Sequence, residues 1–308
     1  MINPTDISPS LSVGQRFRGA IIGAAIGNAL GVSTEMQPAR PRQDWVTSLA
    51  GGGWRQWPAG AWAEETDLML LVASSLLERK VFDPEDIAVR LAQWANDGPV
   101  NLNPNVLQVL KLIHSGTPWM NAASEVWDHI NDERGNDALP LCIPLALYFF
   151  NTPSYITTLA PVLSSITLQS DACNEAASIF TLILAYVIAG HNLEGSVNHA
   201  LNALETRGPV AQAVESTSLP EVPEPPKATA LATLRTAVWA FRWHGSFEDA
   251  IAAAANMGED AGCAATLAGT LAGALYGEQS IPPAMLEAIK ERNRLYAIAD
   301  SLCGLAGA

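Results

Sequence analysis

Residues 19–31 read GAIIGAAIGNALG. Within the apolar run from Arg16 to Leu30, Gly19, Gly23 and Gly27 recur at intervals of one helical turn. Glycine inside a helix costs about 1 kcal/mol relative to alanine. Three on one stripe therefore need a reason, and the reason is close approach of another backbone or of a ligand. A second run, EDAGCAATLAGTLAGALYG over 259–277, carries Gly262, Thr266, Gly269 and Gly273 at the same spacing. Each striped run adjoins acidic residues. Either both stripes serve tight packing alone, or both form the floor of one acidic site.

Between these runs the periodicity is helical and alternating strand patterns are scarce. Helices are predicted at TDLMLLVASSLLERK (66–80), at DPEDIAVRLAQWAND (83–97) and at NPNVLQVLKLIHSG (103–116). Asp83 is a good N-cap with Pro84 in the first turn, and Gly116 suits the position past a helix end. LPLCIPLALYFF (139–150) and EAASIFTLILAYVIAG (175–190) are apolar almost all round, which marks central helices. Pro140 and Pro144 suit a first turn or a kink. ATLRTAVWAFRWHG (232–245) resumes the helical pattern, and Ser246 with Asp249 resembles a capping box for FEDAIAAAANMG (247–258). The expected fold is all-α, a single domain over 16–308 after a tail over 1–15. The Pro-rich stretch 207–229 is expected to be a surface loop, because the helices on either side are too apolar to stand alone.

Composition narrows the partners. The 308 residues carry 17 basic and 31 acidic side chains, a formal net charge of −14, which argues against a nucleic-acid binder. With 49% hydrophobic and 16% charged residues the chain can bury a large core. No run of uncharged apolar residues reaches bilayer-spanning length, so no membrane partner is expected, and MINPTDISPSLSVGQ does not resemble a secretory leader. Cys142, Cys173, Cys263 and Cys303 lack metal-type spacing. They read as reduced and mostly core, which fits a cytoplasmic protein.

The chemistry gathers around AWAEETDLMLL, residues 61–71. Glu64 and Glu65 stand side by side at the mouth of an apolar run, and Asp67 follows. Glu35 lies just past the first stripe, and Asp260 opens the second striped helix. Singly, each carboxylate reads as a cap or a solvated charge. Together at helix N-termini they could bind a hard cation through oxygen, or two could do acid–base work on a glycosidic bond.

The motifs around these residues resemble those of the ADP-ribosylglycohydrolase family, from about Arg16 to Ile289. That family, which includes dinitrogenase-reductase-activating glycohydrolase and the ADP-ribosyl-acceptor hydrolases, opens with G-A-x-x-G-x-A-x-G-D-A-L-G-x-x-x-E. Here residues 19–35 read GAIIGAAIGNALGVSTE. Its G-x-W-T-D-D-T corresponds to GAWAEET (60–66), and its N-G-x-x-M-R-x-x-P to NDALPLCIP (136–144). Its Thr-His pair corresponds to Thr167 and Leu168. Its late S-F-x-D-A…N-x-G-G-D-T-D-T…A-G-x-x-A-G-A…I-P corresponds to residues 246–282. The resemblance implies a compact orthogonal bundle of helices. It implies hydrolysis of the bond joining ADP-ribose to an acceptor, with two Mg²⁺ (Mn²⁺ in some members) held by the T-D-D and D-x-D-T groups. The implied ligand is ADP-ribose-like, or an ADP-ribosylated protein.

Carried across by position, the first ligand group becomes Ala63, Glu64 and Glu65, and the second becomes Asp260, Gly262 and Cys263. Ala63, Gly262 and Cys263 lack a hard oxygen donor, and the two glutamates are longer than aspartate. At most one Mg²⁺ or Mn²⁺ is therefore expected, held by Glu64, Glu65 and Asp260, and there is room for none. Asp67 and Asp171 are the nearest replacement donors. Glu35 and Glu65 are the expected acid–base residues. Asn28, Asn136, Gly258 and Glu259 are the expected substrate contacts. The Met-Arg pair is Pro140-Leu141, so the cation suited to an anionic substrate is missing, and Met285 stands where tryptophan is usual. The fold-bearing glycines are intact while the chemistry-bearing positions have changed together. That asymmetry leaves two readings, a hydrolase with a non-standard metal site or an inactive relative that binds a nucleotide-sugar-like ligand or a protein partner. A purely structural role is a third.

Overall fold

The two glycine stripes meet each other. A computed structural model describes residues 11–99, 101–128, 135–217 and 222–307, and among them the chain forms helices joined by loops, with two isolated bridges and no strand. In chain order the helices are α1 (Val13–Gly31), α2 (Glu64–Arg79), α3 (Pro84–Asn96), α4 (Pro104–His114), α5 (Trp119–Trp127), α6 (Ala138–Tyr148), α7 (Ile156–Ser164) and α8 (Asp171–Ile188). There follow α9 (Leu193–Asn202), α10 (Pro209–Glu215), α11 (Ala230–Trp243), α12 (Phe247–Ala255), α13 (Ala261–Tyr276), α14 (Pro283–Ala288) and α15 (Arg292–Ala306).

Helices α1 and α13 run antiparallel and share the most extensive interface in the molecule. Gly19 faces the Gly273 carbonyl, Gly23 that of Gly269, Gly27 that of Ala265, and Gly31 that of Ala261. These four rungs are each one helical turn apart. A Cβ on Gly31 would stand 2.6 Å from the Ala261 oxygen, and at the other three rungs it would stand closer still. Close packing of backbone on backbone thus accounts for Gly19, Gly23, Gly27, Gly269 and Gly273, while Gly262 lies beside the Glu35 and Glu65 carboxylates. Both helices are buried on every side over most of their length, as their lack of a polar face requires.

The other apolar helices build outward from this pair. Helix α12 packs on α13, and α6 lies between α2 and α8. Pro140 falls in the first turn of α6 and Pro144 in its interior. By length and composition alone α8 could cross a bilayer, but it is 72% buried against its neighbours and serves as a core helix. All four cysteines are free, three of them buried.

Three boundaries differ from the sequence reading. Helix α1 starts at Val13, inside the expected tail, because Ser12 and Gln15 form a reciprocal capping box. Helix α2 starts at Glu64, so the paired glutamates occupy its first turn and do not precede it. The stretch 207–229 contains α10, whose Val210, Ala211 and Val214 are buried. The Glu175 carboxylate accepts from the Gly208 and Val210 amides at 2.6 and 3.0 Å, capping α10 from another helix. Nothing local in the Pro-rich sequence announces that cap. Residues 218–221 of this stretch lie outside the described residues, as do residues 1–10 of the tail.

Candidate active site

The α1–α13 pair delivers its ends to one place. Past the C-terminus of α1 the chain turns, and Glu35 donates its amide to the Gly31 carbonyl at 3.0 Å. The turn is clasped to the loop before α13, with Met36 N–H on the Glu259 carbonyl at 2.8 Å and Glu259 N–H on the Gln37 carbonyl at 2.9 Å. At the start of α13, Asp260 makes no side-chain cap. Its carboxylate instead accepts a hydrogen bond from Asn136 Nδ2. Helix α2 presents Glu64 and Glu65 from its first turn, where the free amides and the helix dipole favour anions.

These residues line one cavity of about 240 Å³, with Glu35, Glu64, Glu65, Asn136, Asp137 and Asp260 on its walls. Glu35, Glu64 and Glu65 are only 4, 7 and 3% exposed. A single amide, Asn101 Nδ2, bridges two of them, 3.2 Å from Glu35 Oε2 and 3.2 Å from Glu64 Oε1. Trp54 Nε1 donates to the same Glu35 oxygen at 3.3 Å. Glu64 Oε2 is buried with no hydrogen-bond partner among the described residues. Glu65 Oε1 and Glu35 Oε1 converge on Gly262, where a Cβ would stand 2.9 and 3.1 Å from them. The longer side chain at 65 thus reaches the space that Gly262 leaves open.

Burial dominates the electrostatics. It raises Glu64 and Glu65 well above the ordinary carboxylate range, and neighbouring carboxylates raise them further. Glu35 is also raised by burial, but the Trp54 and Asn101 donors and the Arg55 charge pull it back. Asp260 is pushed up to about 7 by burial and the Glu35 charge, and Asp137 to about 6 by burial. Carboxylates crowded in a buried site disfavour one another's charged forms. The consequence for stability has a definite sign. Through pH 4 to 6 an unfolded chain ionises these aspartates, whose ordinary value is 3.8, while the folded one retains their protons. Stability therefore falls as pH rises through that window, by up to about 1.4 kcal/mol per unit for each group. In chelator, the guanidinium unfolding midpoint should be higher at pH 5 than at pH 7.5. A midpoint that does not fall over this range would mean that these carboxyls titrate as they do in the unfolded chain.

Several expected residues act indirectly. Asn28 is fully buried and touches only protein. Its Oδ1 accepts from the Ala63 amide at 3.0 Å and the Thr66 hydroxyl at 2.9 Å, and its Nδ2 donates to Glu65 Oε2 at 2.8 Å. It caps α2 and aims Glu65, so its contacts lie behind the cavity wall. Gly258 adopts φ +69° and lies so close to the Gln37 backbone that no side chain fits. Gly258 and exposed Glu259 therefore hold the clasp, outside the cavity wall. Asn136 does line the cavity. Asp67 accepts from Trp62 Nε1 at 3.0 Å and lies off the cavity wall, as does Asp171 at the start of α8. Leu168 packs against Gly135 and stays out of the cavity. Asp137, Asn101 and Trp54 were missed. Asp137 sits inside the quoted NDALPLCIP motif and could have been weighed for its carboxyl. Asn101 comes from a loop whose sequence carries no signal of this contact.

Comparison with known proteins agrees with this architecture. The family model for ADP-ribosylglycohydrolase matches residues 9–308. The chain is 27% identical over 289 residues to ADP-ribosylarginine hydrolase Tri1 of Pseudomonas putida, covering 93% of this chain and 77% of that protein. It is 24% identical over 306 residues to ADP-ribosyl-[dinitrogen reductase] glycohydrolase of Rhodospirillum rubrum, covering 96% and 98%. Among solved structures, an ADP-ribosylglycohydrolase-related protein complex superposes with a TM-score of 0.83 at 30% identity, covering 96% of this chain and 99% of the other.

Proposed function

Since the chain belongs to the ADP-ribosylglycohydrolase family, we propose that it hydrolyses an N- or O-glycosidic bond of an ADP-ribosyl or related ribosyl substrate. The observation that carries this reading is the convergence of Glu35, Glu64, Glu65 and Asp260 from three separate segments on one cavity. Relatives named for ADP-ribosylarginine and ADP-ribosyl-[dinitrogen reductase] support the substrate class.

The two roles of glycosidic hydrolysis follow from environments that push carboxylates apart. Glu65, deeply buried and held protonated, is the general acid that gives its proton to the leaving group. Glu35, facing Trp54 and Asn101 donors and the Arg55 charge, is the more readily ionised partner. It takes a proton from the attacking water and stabilises positive charge developing on the ribose ring. Asn28 and Asn136 orient Glu65 and Asp260.

A metal fits this donor set poorly. The donors are hard oxygens, as Mg²⁺ or Mn²⁺ prefers. Yet Glu65 Oε2 and Asp260 Oδ2 already accept from Asn28 and Asn136. Among the described residues no three Asp, Glu, His or Cys side chains are gathered to hold an ion. Only the partnerless Glu64 Oε2 asks for a cation. We therefore propose at most one Mg²⁺ or Mn²⁺ at Glu64, Glu65 and Asp260, bound weakly because those carboxyls must first give up their protons, which would also remove Glu65 as the acid. Calorimetric titration with MgCl₂ should give a stoichiometry no higher than one. Two tight sites would refute this account of the donors.

One observation favours binding without turnover. Ala63, Gly262 and Cys263 supply no hard oxygen, and burial and the surrounding carboxylates keep the Cys263 thiol neutral. The deciding assay incubates the protein with ADP-ribosylated arginine peptide, with and without Mn²⁺, and measures released ADP-ribose. Release supports hydrolysis. Binding without release supports the second reading, and neither release nor binding removes both.

A further inference from the structure

The cavity is walled by acids, yet the substrate proposed above carries a diphosphate. The missing arginine at position 141 makes the question sharper, since Leu141 is fully buried. The structure supplies a cation from another element. Arg55, exposed on the loop before α2, stacks its guanidinium 4.0 Å from the centroid of the Trp54 ring. Its Nε donates to Asn101 Oδ1 at 3.0 Å. Trp54 and Asn101 are the two residues whose N–H groups meet Glu35, and Asn101 also meets Glu64. Arg55 is therefore tied by two contacts to the rim of the acidic cavity, one residue removed from its carboxylates. Among the described residues it forms no ion pair. Lys227, next to the lining residue Ala228, is instead drawn to Glu224 at 3.4 Å.

We infer that Arg55, stacked on Trp54 and hydrogen-bonded to Asn101, is the diphosphate-binding residue of this site. Its Nε is committed to Asn101, which leaves the two terminal nitrogens for phosphate oxygens in the forked geometry that guanidinium favours. A ribose drawn in among Glu35, Glu64 and Glu65 would have its diphosphate outside the ring of acids, where repulsion is least and Arg55 stands. Trp54, 48% exposed, holds the guanidinium plane and is a positioning residue.

The inference rests on the proposed ADP-ribosyl substrate, and two probes separate their failures. Binding of ADP-ribose and of methyl β-D-ribofuranoside is measured by calorimetry or competition for wild type, Arg55→Gln and Arg55→Lys. Arg55→Gln should weaken ADP-ribose roughly tenfold, the loss expected for a charge-assisted contact discounted for exposure. The neutral riboside should be unaffected. The difference between the two proteins should shrink at roughly 1 M salt, where screening acts within about 3 Å. Arg55→Lys should recover only part of the affinity, because an ammonium neither forks nor stacks. Equal ADP-ribose binding by wild type and Arg55→Gln overturns the inference and leaves the substrate reading intact. A matching loss for the riboside means that Arg55 only shapes the rim, and also overturns it. A wild type that binds no ADP-ribose removes the substrate reading and this inference with it.

Discussion

Replacing Glu65 by glutamine is expected to lower ADP-ribosyl turnover by roughly 10²–10⁴-fold, the range for loss of a positioned acid. The fold should survive, because the substitution is nearly isosteric and Asn28 Nδ2 can still donate to the amide oxygen. Glu65 is buried beside Glu35 and Asp260, both of which raise its proton affinity. Glutamine removes an ionisable group from that crowd, so above pH 7 the variant should melt at or above the wild-type temperature. Lost activity together with retained stability identifies a catalytic carboxylate. If wild type binds ADP-ribose without turnover, the same variant should change affinity instead. A variant that matches wild type in turnover, binding and melting would leave Glu65 with no part in catalysis or binding.

Gly27→Ala should cost about 3 kcal/mol or more, at the upper end for overpacking, out of a total stability of about 5–15 kcal/mol. The added methyl would collide with the Ala265 carbonyl and come within 3.2 Å of the Thr266 amide nitrogen. These are backbone atoms of a buried helix and cannot swing aside as a flexible side chain would. Gly14 in the same helix is the control, because the nearest atoms to a Cβ there are 3.9 Å away. Gly14→Ala should be neutral or slightly stabilising, since alanine is the better helix former. Chemical unfolding of both variants decides. If Gly27→Ala unfolds like wild type, α1 and α13 do not touch along the stripe.

Much of this was legible because glycine spacing is a steric statement. A residue that costs helix stability at every turn declares a close neighbour, and two such stripes in one chain point to each other. The carboxylates of Glu35, Glu64, Glu65 and Asp260 were legible for a similar reason, as acids placed where the chain becomes apolar. The contacts of Asn28 with α2 were hidden because a polar residue at the end of a helix can face a ligand or cap another helix, and sequence separation hides which. The Glu175 cap on α10 was hidden in the same way, since donor and acceptor are distant in the chain. Arg55 was unreadable because its partners, Trp54 and Asn101, lie on two loops whose meeting no local pattern encodes.

The rungs between α1 and α13 also govern how the protein is made. Gly27 leaves the ribosome ~240 residues ahead of its partner Ala265, on the order of 10–50 s at ordinary elongation rates. Throughout that interval α1 lacks the α13 backbone to pack against, although from Gly19 to Gly31 only Asn28 is polar. Contacts so distant in the chain form late and slowly. Until then the nascent helix has only provisional partners for its apolar side chains. Glu35 and Glu64 likewise gain their companion Asp260 only after roughly 200 further residues have been made.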